Sequence, residues 1–360
     1  MSPRILKEGG ESKLSFTYIP QRLPHREKQR EELLSLLLPV VKSQCRISRA
    51  VYLYGPSGSG KTATVKLVLR ELRNRYSFLK SIFVNCRFTS TEFSLFQQIA
   101  KKLVPSFPTR GYSSLELLVN IYEYITKNDI CVIIVLDEFD VFIKRNGVSS
   151  LRDLLKIYES TSEGPSITLI LITMEPHTLL NALPIIRLKN QFKKYSVEDL
   201  YDIVLYRAEE SFVEGVLSEE LAYLISRLGY KFGYGSARYC IELLQHSGYI
   251  ALLSGLDSIE HWCVIEAFRR MEPSIELFEP IIPPKTVEVL ESIAMNSTSR
   301  NPYVEVRKLL KILPNYDDLL TLLKNMDRSG YVDLMETRGV KYVASLIPPN
   351  MLEVLKSGAS

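Results

Sequence analysis

A glycine-rich loop ending in a Lys-Thr pair is the segment of this chain best suited to binding an anion. Residues 55–62 read GPSGSGKT and match G-x-x-x-x-G-K-[ST] at every fixed position. Glycines let backbone N–H groups surround phosphate oxygens, and a following helix adds the positive end of its dipole. The pattern predicts phosphate binding by Gly55, Pro56, Ser57, Gly58, Ser59, Gly60, Lys61, Thr62 and Ala63.

Two side chains of this loop have specific expected roles. Lys61 would reach the β- and γ-phosphates of a nucleotide and act in catalysis, and Thr62 would ligate Mg²⁺. A Gly-Ser loop that happens to precede a lysine is the alternative interpretation. The β-rich run AVYLY before the loop and the helical spacing of apolar residues after it favour the phosphate loop.

An acidic pair follows a second apolar run, at residues 130–140, which read ICVIIVLDEFD. The run is rich in β-branched residues and has the length of a buried parallel strand. At its end, Asp137 is placed to hold Mg²⁺ and Glu138 to polarise an attacking water. A strand that merely leads into a charged turn is the alternative, which the phosphate loop upstream disfavours.

Strands and helices alternate through the first half of the chain, which predicts an α/β domain with a parallel sheet covered by helices on both faces. Further strand-like runs are SIFVNC (81–86), SITLILIT (166–173) and, more weakly, IIRLKNQFKKY (185–195). Ligands bind at the carboxyl ends of the strands in such sheets. We expect this domain at residues 1–196, with an N-terminal segment at 1–45.

The rest of the chain predicts two more domains. Residues 197–278 contain four helical patterns, and the proline cluster at 279–284 is a plausible linker. Region 279–360 has helical patterns at 285–296, 303–312 and 315–328, and then a hairpin with Arg338-Gly339 at its turn. Three helices and a hairpin make a winged helix, a relative of the helix-turn-helix.

Composition permits a phosphate-rich partner without demanding one. The 360 residues include 45 Lys and Arg against 41 Asp and Glu, a formal net charge of +4. Five cysteines without a Cys-x-x-Cys pair, and four histidines, predict neither a zinc site nor a disulfide framework, so we expect a reducing compartment. The first residues lack the apolar core of a signal peptide, and no apolar stretch of about 18 residues predicts a membrane span.

The order of these motifs resembles the archaeal replication initiators related to the origin recognition complex and the cell-division-control helicase loader. The segments YIPQRLPHREKQREELLSLL (18–37), YGPSGSGKT, VLDEFD and GSAR (235–238) occur in the family's order, before a C-terminal winged helix. The resemblance covers nearly the whole chain. It implies an AAA+ ATPase domain, a helical lid and a duplex-DNA-binding domain, with ATP or ADP and Mg²⁺ as cofactors.

The resemblance also implies nucleotide contacts outside the two motifs. Leu23, Pro24, His25 and Arg26 would lie near the adenine, although the segment also reads as a plain loop before a helix. Arg238 of GSAR matches the family's sensor-2 arginine, which touches the γ-phosphate from the lid. A helix-surface arginine is the alternative, and Gly235-Ser236 would place Arg238 in the first turn of a helix.

Two family positions lack a clear counterpart. The sensor-1 asparagine is missing from LITMEPHT, where Thr173 could stand in. The arginine finger is also missing, since the nearest arginine is Arg187 at the wrong spacing. Because of these gaps, a slow switch that retains its nucleotide is a better interpretation than a fast motor.

Cationic residues of the winged helix are the expected DNA contacts. They are Arg307, Lys308 and Lys311 of the helix before the recognition helix, and Thr337, Arg338 and Lys341 of the wing. Arg338 at the hairpin tip is expected to enter the minor groove. The start of the recognition helix is acidic, with Asp317 and Asp318, which suits phosphates poorly. Ordinary surface charge is the alternative for each of these residues.

A second candidate DNA contact is the segment PSFPTRGYSS (105–114), between two helices of the ATPase domain. The initiator family that this chain resembles has a helical insertion at this position, which contacts DNA. Arg110, Gly111 and Tyr112 could make such a contact. A plain loop is the alternative.

The function implied by the resemblance is an ATP-switched initiator that binds duplex DNA at replication origins. Its implied partners are the replicative minichromosome maintenance helicase and paralogous initiator subunits. The resemblance implies no interaction with a membrane. Its implied location is the chromosome in the cytoplasm of an archaeal cell. The alternatives are an ATP-gated winged-helix transcription or signalling regulator and, with less support, a phosphotransferase, which would lack an acceptor pocket.

Overall fold

The computed structural model of this chain describes residues 5–47, 49–147, 153, 167–176, 186–188, 191–272, 283–313 and 318–347. It divides into two compact units, one formed by Ile19–Tyr195 and the other by Met1–Tyr18 with Ser196–Ser360. The unit Ile19–Tyr195 is built around a five-stranded sheet, and the other unit contains a cluster of helices and a three-stranded sheet.

The first unit contains a parallel sheet with strand order β2-β3-β4-β1-β5. Its strands are β1 (Ala50–Tyr54), β2 (Leu79–Asn85), β3 (Cys131–Asp137), β4 (Thr168–Thr173) and β5 (Ile186–Arg187). Its helices are α2 (Glu27–Lys42), α3 (Lys61–Arg75), α4 (Glu92–Leu103), α5 (Ser114–Lys127) and α6 (Phe139–Asn146). The sequence also shows a helical pattern at 151–160, LRDLLKIYES, which lies outside the described residues apart from residue 153.

Helices cover both faces of this sheet because its strands are apolar on both sides. Along β1, Val51 and Leu53 pack into one core with α2 and α3, whereas Tyr52 packs into the other with α4, α5 and α6. Every residue of β4 is buried. A strand buried on both faces needs a continuous apolar run, which is the pattern of β3 and β4. The predicted α/β fold is therefore confirmed.

The cysteine prediction is wrong for one pair, because Cys45 and Cys131 form a disulfide. Both are buried, at 0% and 2% exposure, among the apolar side chains between the sheet and α2. Cys45 follows the end of α2, and Cys131 begins β3. A sequence separation of 86 residues gave no sign of this proximity, which only the packing of α2 on the sheet creates. Cys86, Cys240 and Cys263 are buried thiols.

The second unit begins with a short N-terminal segment, which includes α1 (Gly10–Leu14). The sequence prediction assigned residues 1–45 to the ATPase domain, but residues 5–18 pack in this other unit. Leu6 forms a β-bridge with Phe212, and the Lys7 N–H donates to Ser211 O at 2.9 Å. The segment adds the buried side chains Ile5 and Leu14, whose contacts are non-local and have no signature in the sequence.

Four helices of the second unit match the four predicted helical patterns: α7 (Val197–Ser211), α8 (Glu219–Lys231), α9 (Ala237–Leu253) and α10 (His261–Met271). Serine hydroxyls cap the first three: Ser196, Ser218 and Ser236 each accept a hydrogen bond from a backbone N–H of the first turn. Their start positions were therefore readable from the sequence.

The C-terminal part of this unit is a winged helix, as predicted. It comprises α11 (Pro284–Asn296), β6 (Val304–Glu305), α12 (Val306–Ile312), α13 (Leu319–Arg328), β7 (Val332–Thr337) and β8 (Val340–Ser345). Arg338 and Gly339 form the hairpin turn with positive φ values of 52° and 76°. Strand β6 pairs with β8 and was not predicted, because two residues carry no periodic signal. Residues 279–282 of the predicted linker lie outside the described residues.

The predicted boundaries between the second and third domains remain predictions, since both lie within one unit. Among the described helices, none is both long enough and apolar enough to cross a membrane.

Candidate functional site

The phosphate loop lies between β1 and α3, as its sequence predicts. Gly58 and Gly60 have φ values of 71° and 90°, a region that side chains rarely adopt. A Cβ at Gly60 would lie 2.7 Å from the Tyr195 hydroxyl, and one at Gly55 would lie 2.1 Å from Phe192 O. The loop therefore requires glycine at these positions for close packing as well as for its curvature.

Lys61 begins α3 and is buried, with 8% of its surface exposed. Its ammonium donates to Gly55 O at 2.6 Å and to Pro56 O at 2.8 Å. These carbonyls hold the side chain folded back over the loop. A buried ammonium beside the N–H groups of a helix start strongly attracts a phosphate anion.

Thr62 and Asp137 meet at the carboxyl ends of the strands. The Thr62 hydroxyl donates to Asp137 Oδ2 at 2.9 Å, and the Glu138 N–H donates to Oδ1 at 3.0 Å. Burial raises the pKa of Asp137 above its usual range, an effect partly opposed by these two hydrogen bonds. A hydroxyl and a carboxylate at this distance are a pair of hard oxygen ligands of the kind that Mg²⁺ prefers.

Glu138 is held by two residues that the sequence analysis did not select. Its backbone has a φ of 52°, which is strained for a non-glycine residue. Its carboxylate accepts from Arg87 Nε at 2.8 Å and from Asn85 Nδ2 at 3.4 Å. Asn85 ends β2 and pairs in register with Asp137 of β3. The only sign of this contact in the sequence was that Asn85 is a polar residue at the end of an apolar strand-like run.

The residues of the loop fit a nucleotide phosphate chain. The Ser59 hydroxyl is buried without a hydrogen-bond partner among the described residues, so this loop carries a polar group that a ligand could satisfy. Gly58 and Gly60 have positive φ values, a backbone conformation that lets successive N–H groups line an anion site. Thr62 and Asp137 supply the oxygen donors for Mg²⁺.

The side chain of Arg26 contacts the backbone of the phosphate loop. Its guanidinium donates to Ser59 O and Lys193 O, both at 2.8 Å, and to His25 O at 2.7 Å. It also lies 3.7 Å from the centre of the Tyr195 ring. These contacts make Arg26 a brace between the loop and residues 191–195. Adenine contacts of Leu23, Pro24, His25 and Arg26 remain predictions.

Thr173 lies at the end of β4, opposite Tyr54 in register and so next to the start of the phosphate loop. It is buried, and its hydroxyl shares a 2.8 Å hydrogen bond with Tyr52 and donates to Glu175 O. Thr173 thus ends the fourth strand of the chain, and its role in place of the sensor-1 asparagine remains a prediction. Arg187 lies in β5, but its side chain is outside the described part of the structure.

Arg238 lies in the first turn of α9, as predicted from Gly235-Ser236. Gly235 has a φ of 75°, and Ser236 caps the helix. The Arg238 side chain is exposed, and its guanidinium lies 5.7 Å from the centre of the Phe16 ring within the same unit. Its role at the nucleotide remains a prediction.

The predicted DNA contacts lie on the surface of the winged helix. Arg307, Lys308, Thr337 and Arg338 are exposed. Lys341 is half-buried and lies 4.0 Å from Glu336, a weak pair that a phosphate could replace.

The recognition helix α13 corrects one expectation about charge. Asp318 is its N-cap, and its carboxylate accepts from the Thr321 N–H at 3.2 Å. The acid therefore has a structural reason to be there. The outer face of the helix carries the exposed cations Lys324 and Arg328, which the sequence analysis missed although they are spaced i, i+4. Asp317 lies outside the described residues.

Arg110, Gly111 and Tyr112 form an exposed turn before α5. Gly111 has a φ of 84°, and the Ser113 hydroxyl that follows caps α5 in a capping box with Glu116. The segment is thus a loop, and its contact with DNA remains a prediction.

Two family descriptions match this chain. Residues 22–170 match the AAA ATPase domain, and residues 201–269 match the Cdc6 AAA+ ATPase-type lid domain. An "ORC1-type DNA replication protein 2" of Saccharolobus solfataricus is 33% identical over 256 residues, which cover 68% of this chain and 62% of that protein. The chain thus spans less than two thirds of the length of such curated relatives.

Solved structures resemble nearly the whole chain. Cdc6p from Pyrobaculum aerophilum covers 99% of this chain and 97% of its own, with a TM-score of 0.73 and 22% identity, which shows the fold. The Aeropyrum pernix ORC1 protein in complex with DNA covers 96% of both chains, with a TM-score of 0.63 and 26% identity. Together with the geometry of the phosphate loop, these matches show that the chain belongs to the Cdc6 and ORC1-type family of AAA+ ATPases.

Proposed function

We propose that this protein is an ATP-dependent replication initiator that binds duplex DNA at replication origins, with ATP and ADP acting as a slow switch. The observation that carries the proposal is one chain in which Thr62 of a phosphate loop is bound to Asp137, and a winged helix exposes cations. The curated relative is named for DNA replication, and one structural relative is described in complex with DNA.

The nucleotide would be held by the loop 55–63, with Lys61 at the β- and γ-phosphates. Thr62 and Asp137 would hold Mg²⁺, which supplies charge neutralisation for the phosphates when bound. Glu138 would take part in hydrolysis by orienting water. In the proposed scheme Arg238 connects the lid to the nucleotide state.

The contacts of Glu138 favour slow turnover. Its carboxylate is already bound to Arg87 and Asn85, so these hydrogen bonds compete with any contact to water. The Arg87 contact is half-exposed and therefore weak enough to be exchanged. We expect hydrolysis to be slower than about 1 s⁻¹, the lower end of typical enzyme turnover.

The winged helix would bind the duplex through its recognition helix and wing. Lys324 and Arg328 lie on the exposed face of α13, and Arg338 lies at the tip of the hairpin. Helices of this type enter the major groove, while basic tips contact the adjacent minor groove or backbone. The loop at Arg110 and Tyr112 is a second proposed contact.

The partners in this proposal are the replicative minichromosome maintenance helicase and paralogous initiator subunits. They follow from the implied role of an initiator, which must mark a site and bring the helicase to it. The protein would then be found on the chromosome. Co-purification of the helicase with the wild type, but not with a Lys61→Ala variant, is the result expected if recruitment depends on nucleotide.

Footprinting on chromosomal DNA tests the function directly. The proposal predicts protection at or near a replication origin in the presence of ATP. Protection confined to promoters would instead indicate a transcription regulator. A duplex of the same length and shuffled sequence is the control for non-specific binding by phosphate contacts.

A further inference from the structure

A cavity of about 310 Å³ lies within the second unit, between the lid helices α7 and α8 and the winged helix. We call it the tyrosine cavity. Its lining includes four tyrosines and two glutamates: Tyr201, Tyr223, Tyr303, Tyr342, Glu219 and Glu220. Ligand pockets in proteins span about 300–1,000 Å³, so this cavity suits a small molecule or one side chain.

Three of the tyrosines form a row of steeply inclined rings. The centroids of Tyr201 and Tyr223 are 6.0 Å apart at an interplanar angle of 71°, and those of Tyr223 and Tyr303 are 6.4 Å apart at 63°. The Tyr303 hydroxyl donates to Asp333 Oδ2 at 2.9 Å, which fixes the end of the row. Aromatic ring faces carry partial negative charge and attract cations.

The two glutamates add net negative charge to the same cavity. Glu219 and Glu220 are exposed in the first turn of α8, and neither takes part in a hydrogen bond or ion pair with the other residues that the structure describes. Burial raises the pKa of Tyr201, and the charges of both glutamates raise it further. The lining residues described include no lysine or arginine.

The charge of Arg227, a cation of α8, is already neutralised. Arg227 of α8 donates to both carboxylate oxygens of Asp333, at 2.5 and 2.9 Å. Asp333 is only 1% exposed, and it also accepts from Tyr303. A buried bidentate pair leaves little charge over for its surroundings, so Arg227 adds little positive charge to the cavity.

We propose that the tyrosine cavity binds an aliphatic ammonium group, either of a free polyamine or of a lysine side chain on a partner protein. Aromatic faces and carboxylates together favour an organic cation with apolar substituents over a hydrated metal ion, because only the former gains from contact with the rings. The same charges exclude DNA phosphates from this part of the surface.

An occupied cavity would connect two domains. Tyr201, Glu219 and Tyr223 belong to the lid helices, whereas Tyr303 and Tyr342 belong to the winged helix. A cation held by both walls stabilises their present arrangement, in addition to the Arg227–Asp333 pair. This site is distinct from the phosphate loop, and the inference does not depend on the proposed role at origins.

Calorimetric titration of the full chain tests the proposal with three probes: spermidine, Nα-acetyl-lysine amide and the neutral Nα-acetyl-norleucine amide. We expect saturable binding of at least one amine and none of the norleucine compound. A tighter complex with spermidine identifies a polyamine site, and a tighter complex with the lysine compound identifies a site for a protein side chain.

Variants separate this site from general charge attraction. Tyr223→Leu, and separately the pair Glu219→Gln with Glu220→Gln, should weaken amine binding by about tenfold or more. The matched pair Glu198→Gln with Glu209→Gln removes two exposed glutamates of α7 and should change binding less than about twofold, as expected for screened surface charges. The glutamate pair is exposed, so it tests the site even if Tyr223→Leu does not fold. Equal losses in both glutamate pairs, or no saturable binding of either amine, would overturn the proposal.

Discussion

At the scale of single residues, the structure explains why an acidic pair at a strand end is suited to phosphate chemistry. Asp137 is bound to Thr62 of the phosphate loop, whereas the Glu138 carboxylate is bound to Arg87 and Asn85. The contact of Asp137 with Thr62 agrees with the predicted metal site, and the roles of both carboxylates stay predictions.

Replacing Glu138 by glutamine should separate binding from hydrolysis. The amide keeps the size of the side chain but cannot act as a base, so nucleotide should still bind while turnover falls by about 10²-fold or more. Radiolabelled ATP hydrolysis and equilibrium nucleotide binding measure the two effects. Lys61→Ala is the control, because it should remove binding itself. Unchanged turnover in Glu138→Gln would exclude this residue from catalysis.

The residues that hold Glu138 could not be predicted with the same certainty. Asn85 and Arg87 are ordinary polar residues in the sequence, and their relevance arises only because β2 and β3 are neighbours in register. Arg26 shows the same limit. Its segment was selected by resemblance, but the contacts of its guanidinium with three backbone carbonyls depend on the fold.

At the scale of elements, buried groups tie helices and strands together in ways that periodicity does not show. The disulfide joins α2 to β3, and the side chain of His261 at the start of α10 bonds to the backbone of Ser345 in β8. Most described strands and helices could be predicted from apolar runs, capping residues and turn residues. Contacts between residues that are distant in sequence could not be predicted, because they depend on how the elements pack.

Removal of the Cys45–Cys131 disulfide should destabilise the first unit. Cross-linking residues that are 86 apart restricts the unfolded chain, and loss of a native disulfide typically costs about 2–5 kcal/mol. Urea unfolding of the Cys45→Ser, Cys131→Ser double variant measures this loss. Reducing agent should lower the stability of the wild type and leave the double variant unchanged. Two free thiols at these positions in the purified, unreduced protein would contradict the pairing.

His261 should make the second unit sensitive to mild acid. Burial lowers its pKa to about 4, and its Nε2 atom is buried without a partner among the described residues. The unfolded chain binds the proton more readily, so stability is full above about pH 6.5 and falls by up to about 3 kcal/mol as the pH drops to about 4. Thermal unfolding across this range should show a weaker dependence on pH in His261→Gln. The exposed His246→Gln variant should behave as the wild type, and an identical slope in all three proteins would refute the assignment.

The wing should contribute to DNA affinity through its tip. Arg338→Ala removes an exposed guanidinium from the hairpin turn, and we expect DNA binding to weaken by about 1–3 kcal/mol if this residue reads a groove. Arg73→Ala, an exposed arginine at the end of α3, is the matched control for a lost positive charge. Fluorescence anisotropy with a labelled duplex measures both variants. A loss no larger than that of Arg73→Ala would identify Arg338 as ordinary surface charge.

At the scale of the whole molecule, two units divide the expected tasks. The unit Ile19–Tyr195 contains the phosphate loop, and the unit with Ser196–Ser360 contains the lid helices and the winged helix. The change of pattern near residue 196 predicted a domain boundary there, and the three-domain division stays a prediction. The assignment of residues 5–18 to the second unit was not predicted, because a short segment that joins a remote helix leaves no periodic signal.

The measurement that tests the account most directly is the affinity of the full chain for an origin duplex with ADP and with a non-hydrolysable ATP analogue. A nucleotide switch predicts different affinities in the two states, with a typical coupling of about 1–3 kcal/mol, or about 5- to 150-fold. It also predicts that Lys61→Ala binds the duplex equally in both conditions. Identical affinities of the wild type with either nucleotide, at a salt concentration where binding depends on sequence, would contradict the account.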